Sequence, residues 1–323
     1  MAVVAPLSRA LVGQRYSFGC FHSSSTSIDL LRPSSVSAIT HRFLSNVRLQ
    51  QRQRVLLVGS DHYEVNATKY WDNFYKRHHN KFFKDRHYLE KEWGRYFSAD
   101  KNQEAKVVLE VGCGAGNTIF PLIAAFPNLY VHACDFSAHA ISLIKSHGDF
   151  REDLVNAFVC DVTCDDLCQK IVPSSVDIVT LIFMLSAVSP EKMSLLLKNI
   201  QRILKPNGYV LVRDYATGDF AQEKLTSRNQ MIGENFYVRG DGTCVFYFSE
   251  DFLSTLFKRE GFNTMEINVY CKRITNRSRN IVMDRRWIQE IQPVVELNQH
   301  VTAEGGAIDT SAVGLCTKWQ LAG

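Results

Sequence analysis

The chain has 323 residues, 46% of them hydrophobic and 22% charged, with a formal net charge of +4. That length holds one large α/β core with extensions, or two modest domains. The charge is uneven, since residues 1–60 carry seven Arg, no Lys and one acid, Asp29, so the stretch is +6 and the remainder −2, and the basic character belongs to the leader.

The leader, 1–60, also holds eleven Ser and no sustained apolar run. This is the Arg-rich, Ser-rich, acid-poor composition of a transit peptide, which would send the protein to a mitochondrion or plastid; an uncleaved disordered leader would leave it in the cytoplasm or nucleus. Residues 61–105 interleave Trp, Tyr and Phe with Lys and Arg and are expected to form a mostly helical arm.

From Val107 short β-branched runs alternate with amphipathic stretches, the pattern of βαβ units around a parallel sheet. The expected strands are 107–111, 129–135, 156–162, 176–182 and 209–215. The expected helices are 117–126, 138–146, 165–171 and 190–204. The last has Ser189 as N-cap and Pro190 at its first position, and stops at Lys205-Pro206-Asn207-Gly208. An insertion of about 215–243 follows without clear periodicity. Then come a strand at 244–249, a helix at 250–259 and a strand at 264–271. Those two late strands would close a mixed seven-stranded, Rossmann-like sheet with helices on both faces. The domain would span 106–291, leaving 292–323 as a loose tail. No run of about eighteen apolar residues is present to span a membrane. The nine Cys are odd in number and lack a CxxC pair, and Cys160, Cys164 and Cys168 have no nearby His to complete a metal site, so no metal is expected.

Between the first strand and first helix stands Glu110-Val111-Gly112-Cys113-Gly114-Ala115-Gly116-Asn117. An open α/β sheet places its ligand crevice here, and the spacing is GxGxG after an acid rather than the GxGxxG of a dinucleotide fingerprint. S-adenosylmethionine has no phosphate, and an acidic rim suits its aminoacyl group and sulfonium. Asp135, at the end of the second strand, can accept from both ribose hydroxyls. Asp161, at the end of the third, can accept from the adenine amine, with Val162 alongside.

From about Tyr70 to Glu290 the chain resembles the class I methyltransferases that make 3-methylcytidine in the anticodon loop of tRNA. The segments carrying the likeness are Trp71 to Tyr75, Asn80 to His87, Cys134-Asp135-Phe136-Ser137, Leu181 to Ala187, Arg213-Asp214-Tyr215 and Glu234 to Thr243. Ala216 stands where this family usually has Gly. The resemblance implies Trp71, Tyr75, Phe136, Ser137 and Ile182 as further cofactor contacts, tRNA as substrate, and in some members an aminoacyl-tRNA synthetase as partner.

Ring nitrogen 3 of cytosine already has a lone pair, so no strong base is needed, but positive charge grows on the base. A carboxylate accepting from the exocyclic amine would orient the ring and stabilise that charge. Asp214, with Arg213 beside it, is the catalytic candidate, the alternative being a structural ion pair between the two. Phe83, Lys84, Arg86 and His87 in the arm, and Asn235, Tyr237 and Arg239 in the insertion, are the candidate RNA contacts, because aromatic faces stack unpaired bases while cations meet phosphates. Phe82 and Phe83 could instead pack on the core. Lys272, Arg273, Arg277, Arg279, Arg285 and Arg286 form a late basic cluster. A methyltransferase acting on a small molecule or protein, and an inactive RNA-binding module, are the rival readings.

Overall fold

The computed structural model describes residues 60–98, 105–277 and 280–293; the leader up to residue 59 and the tail from 294 lie outside the described residues. Three helices come first: α1 (Ser60–Val65), α2 (Ala67–His78) and α3 (Tyr88–Phe97). The core then alternates β1 (Val107–Val111), α4 (Ile119–Ala125), β2 (Tyr130–Asp135), α5 (Ala138–Lys145), β3 (Val155–Val159), β4 (Val176–Ile182), α6 (Pro190–Ile203) and β5 (Leu204–Tyr215). These five strands are parallel and run in the order β3-β2-β1-β4-β5.

The central strands are buried on both faces, which is why their sequences are mostly apolar without regular alternation, Glu110 in β1 and Asp177 and Thr180 in β4 being the exceptions. α6 buries Met193, Leu196, Leu197, Ile200 and Ile203, a stripe at helical spacing, against one face. The other face is covered by α4, α5 and also α3, whose Leu89, Trp93, Tyr96 and Phe97 join that core. The C-terminal part of the arm is therefore built into the domain.

Three expectations are corrected. The helix expected at 165–171 shrinks to a single 3₁₀ turn, Leu167–Gln169, capped by Asp166. The strand at 244–249 does not close the large sheet: β8 (Cys244–Phe246) joins β6 (Met231–Gly233) and β7 (Phe236–Val238) in a separate three-stranded sheet that follows α7 (Phe220–Ser227). After α8 (Glu250–Arg259), the seven-stranded sheet is completed by β9 (Glu266–Asn276) and β10 (Ile281–Pro293), with β10 antiparallel between β5 and β9. The segment counted as a basic cluster is thus largely a hairpin. β9 is an edge strand exposed along most of its length, so it lacks the alternation that a half-buried strand shows. Past the Trp287–Tyr215 pair that ends β5, the hairpin continues from Arg286–Cys271 to Ile281–Asn276, an overhang of roughly 20 Å at the end of the sheet where the glycine loop lies.

Candidate active site

The site is built around the carboxyl ends of the parallel strands, with the arm and the insertion packed over them. After β1, Gly112, Gly114 and Gly116 have φ of 65°, 55° and 87°, a left-handed backbone that favours glycine. Space demands glycine as well: a Cβ on Gly112 would lie 2.1 Å from the Met184 side chain, and one on Gly114 would lie 2.6 Å from the Tyr75 hydroxyl. Tyr75, on α2, is buried directly over the loop, and half-buried Trp71 packs against it with ring centroids 6.0 Å apart.

Asp135 ends β2 and is buried. Its Oδ2 accepts from the Gly114 amide at 3.0 Å and its Oδ1 from the Ser137 amide at 2.9 Å, so each oxygen keeps a lone pair for a further donor. Burial pushes its carboxyl up to about 6. Ser137 caps α5 and donates from Oγ to Asp72 at 2.8 Å, and Asp72 also accepts the His139 amide. Asp72, which the sequence reading missed, fastens α2 to the end of β2, so its position beside Trp71 was the available signal. Phe136, half-buried, follows Asp135. Glu110 is buried beneath the loop, accepts a hydrogen bond from the Thr180 hydroxyl, and is raised by burial to about 7.

Asp161 stands two residues past the end of β3. Its Oδ1 accepts the Thr163 amide and hydroxyl at 3.0 and 2.7 Å, so it organises a turn, with Val162 buried next to it. Ile182 is the buried last residue of β4. Asn117 works on the arm: its Nδ2 donates to Asp85 at 2.9 Å and to the Phe83 carbonyl at 3.4 Å, while its carbonyl accepts the Arg86 amide at 2.9 Å. Phe83 packs with Phe82 and Phe74 in a small aromatic cluster, the packing alternative for these rings. Lys84 and His87 are exposed and line, with Asn80, Phe83, Ala115 and Asn117, a hollow of about 410 Å³.

Across the crevice stands a wall of rings. Phe183, immediately after β4, holds φ at 54°, an uncommon conformation for an aromatic residue and the kind of strain retained at functional sites. Its ring lies 4.9 Å from that of Tyr215, which lies 5.9 Å from that of Tyr247. The Arg86 guanidinium sits 5.1 Å from the Phe183 centroid and that of Arg239 5.9 Å from Tyr215. Phe183, Tyr215 and Tyr247 were not among the candidates, although the first two fall inside the resembling segments. Arg239 also donates to the Cys244 carbonyl at 3.2 Å, and Tyr237 is buried under Tyr247, accepting from Thr226 at 3.1 Å. Asn235, at φ 54°, accepts from Gln222 at 3.0 Å. Ala216 needs no positive φ and bridges to Phe248, so the missing glycine costs nothing here.

Asp214 and Arg213 are adjacent in sequence but lie on opposite faces of β5, as strand alternation requires. Arg213 is not part of the crevice with Asp214: it pairs with Glu92, donates to Gln289 at 3.0 Å, and stacks 4.4 Å from the Tyr88 centroid and 5.7 Å from that of Tyr270. Neither the catalytic pair nor the structural ion pair between them is formed. Asp214 has 0% exposure; its Oδ2 accepts the Ser186 amide and its Oδ1 the Tyr215 amide, both at 2.9 Å. As in Asp135, each oxygen accepts a single amide and keeps a lone pair for a further donor. Burial pushes it up to about 6, opposed by the Ser186 and Tyr215 hydrogen bonds and by Arg239.

The donor set fits S-adenosylmethionine: spare acceptors on Asp135 for two hydroxyls, a loop whose alternate residues are glycine, and beside it a buried Arg86 Nε with no hydrogen-bond partner among the described residues. Among those residues no helix is long and apolar enough to cross a membrane, and no group of three His, Cys, Asp or Glu could hold a metal ion.

Comparison with known proteins agrees. Residues 109–210 match a family model described as a methyltransferase domain. The fold is shared with a SAM-dependent methyltransferase from Anabaena variabilis, with a TM-score of 0.54 and 13% identity, covering 71% of this chain and 96% of the other. The human tRNA N(3)-cytidine methyltransferase METTL6 is 43% identical over 228 residues, covering 70% of this chain and 80% of the relative. The Schizosaccharomyces pombe tRNA N(3)-methylcytidine methyltransferase trm141 is 39% identical over 231 residues, covering 71% and 93%. A chain with this fold, this cofactor cradle and this degree of likeness belongs to the family of tRNA N(3)-cytidine methyltransferases.

Proposed function

We propose that this protein methylates ring nitrogen 3 of a cytidine in the anticodon loop of tRNA. The supporting observation is that Met184 lies against Gly112, which brings the segment after β4, with Phe183 ring to ring with Tyr215, to the same end of the sheet as the glycine loop and Asp135. When bound, S-adenosylmethionine supplies an electrophilic methyl group on its sulfonium. Asp135 is assigned to its ribose, with Asp161 and Val162 on the adenine side, and Trp71, Tyr75, Phe136 and Ile182 close over it. Phe183 and Tyr215 offer faces on which an extruded base can stack, and swinging out a loop base costs less than opening a duplex. Arg239, Lys84 and His87 meet the phosphates, with Asn235 and Tyr237 shaping the insertion that carries Arg239.

Asp214 acts as an electrostatic and positioning residue. Its charge, enclosed in a dry site, favours the cation that grows on cytosine, while its two amide bonds hold the turn at Ser186 and the start of the Tyr215 loop in register. The test is incubation of the full chain with labelled S-adenosylmethionine and total tRNA, followed by nucleoside analysis. Label in 3-methylcytidine is expected. Label in another nucleoside, in protein or nowhere would overturn the reading. An aminoacyl-tRNA synthetase partner and an import function for residues 1–60 belong to the same proposal. Co-purification with tagged protein tests the first, and a reporter fused to residues 1–60 that stays cytosolic would end the second.

A further inference from the structure

We infer that Glu290 is held in the folded protein as a neutral carboxylic acid that donates a hydrogen bond to Gln292, a proton-dependent latch between β10 and the corner that follows α8. Both residues have 0% exposure, and the reaction proposed above uses neither. They lie on one face of β10, paired with Val212 and Val210 of β5, in the apolar layer beneath α6 and α8. Their side chains converge on one hydroxyl. Thr264 Oγ1 donates to Glu290 Oε1 at 3.0 Å and accepts from Gln292 Nε2 at 3.2 Å. It also lies 3.1 Å from the Ser254 hydroxyl of α8, which must then be the donor.

With every carboxyl ionised, this cluster is one hydrogen short. Thr264 has one hydrogen to give and two lone pairs to offer, and all three are taken. Glu290 Oε2 and Gln292 Oε1 are left, both buried acceptors without a hydrogen-bond partner among the described residues. Turning the Gln292 carboxamide over would set its oxygen against Thr264, which cannot donate twice, so the deficit would remain. Enclosed acceptors without a donor cost free energy, and one added hydrogen settles both, since a protonated Oε2 donates and Gln292 Oε1 accepts. The surroundings offer the ionised form little. β5 and β9 present Val212 and Ile267 to Glu290. On α8, Lys258 is exposed and acts through its charge without an ion pair to Glu290 among the described residues, while Arg259 and Lys198 of α6 both pair with Glu260. Burial pushes the Glu290 carboxyl up to about 7, against the lesser pull of Thr264 and Lys258. Loss of the proton at higher pH leaves a buried charge without a partner, and the latch opens.

Glu290→Gln in the full chain is the test, because a carboxamide copies the hydrogen bonds of the neutral acid but cannot ionise. Denaturant titrations should give the two proteins nearly equal stability at about pH 4. As pH rises from about 4.5 to about 7, the carboxyl ionises first in the unfolded chain, so the wild type should lose roughly 10²-fold in its folding equilibrium relative to the variant and then level off. Infrared difference spectra at about pH 6 should show the carbonyl stretch of a protonated carboxylic acid in the wild type that is missing from Glu290→Gln. A variant less stable by the same factor at every pH, or spectra without that difference, would mean an ionised carboxylate satisfied by a buried water, and either result overturns the inference. So does a Glu290→Gln chain that fails to fold, since the neutral acid and the amide should be interchangeable. Gln292→Met gives an independent check. It removes the acceptor, so the Glu290 carbonyl band should shift, and a band that stays in place overturns the inference as well.

Discussion

The cofactor side of the crevice is made from consecutive strand-to-helix turns, with Gly112 to Asn117 after β1, Asp135 to Ser137 after β2 and Asp161 to Val162 after β3. The base side is assembled from distant stretches: Phe183 after β4, Asp214 and Tyr215 at the end of β5, and Arg239 and Tyr247 from the small sheet. The first is tied together by the Asp135 carboxylate, which accepts the amides of Gly114 in the turn after β1 and of Ser137 in the turn after β2. The second depends on long-range ties, above all Asp219, which is fully buried and caps α7 while accepting from Arg285 Nε at 2.7 Å and the Arg286 amide at 2.8 Å. One side is built on adjacent strand ends and fastened to the arm through Asp72 and Asn117, whereas the other is only as ordered as its most distant clasp.

The largest expected effect breaks that clasp. Asp219→Ala leaves Arg285 buried without its acid, which should destabilise the protein by about 3–5 kcal/mol, read by denaturant titration. S-adenosylhomocysteine, through the cofactor side, should still bind to whatever remains folded. Next, Asp214→Asn should lower kcat roughly 10²-fold with little change in KM for S-adenosylmethionine, because the loss falls on charge developing at the base. Asp214 is raised to about 6, so its carboxylate is ionised above that pH, and wild-type kcat should drop as pH falls through about 6. That limb should be missing in Asp214→Asn. Stability carries the opposite sign. A carboxyl raised in the folded state is penalised when it ionises, so the wild type should lose stability relative to Asp214→Asn as pH climbs from about 4 to above about 6.

Asp135→Ala should weaken S-adenosylhomocysteine binding by roughly 10- to 100-fold and leave tRNA affinity intact, separating the two sides by equilibrium titration. Tyr215→Ala should do the reverse, with tRNA affinity falling about tenfold as one stacking face is lost. The smallest effect sharpens the contrast by its absence. Arg151→Ala removes the exposed pair with Asp153, remote from both sides, and the melting temperature should not change measurably.

The legibility of the site follows the same division. Asp135 and the glycine loop could be read because both end successive strands of one βαβ unit, where a glycine run and an acid at the next strand end are visible in the chain. Phe183 and Tyr215 stand in segments whose likeness to a family was visible, yet nothing in their spacing says that their rings meet 4.9 Å apart. Arg213 was misjudged because adjacency in sequence suggested a pair with Asp214, and strand alternation sends the two to opposite faces. Phe83 was ambiguous because an aromatic residue among bases looks alike whether it stacks on RNA or on Phe74.

Sequence alone determined the five-stranded parallel core and the cofactor class, since apolar period, caps and turn chemistry are local properties of the chain, and the resemblance of its motif segments pointed to the family. Tertiary structure decided which late strands close the large sheet, the enclosure of Asp214, the pairing of Arg213 with Glu92 and the placement of Arg86 beside the glycine loop. Those outcomes depend on which distant surfaces exclude water together, and an edge strand or a buried charge leaves no periodic trace of its eventual neighbours.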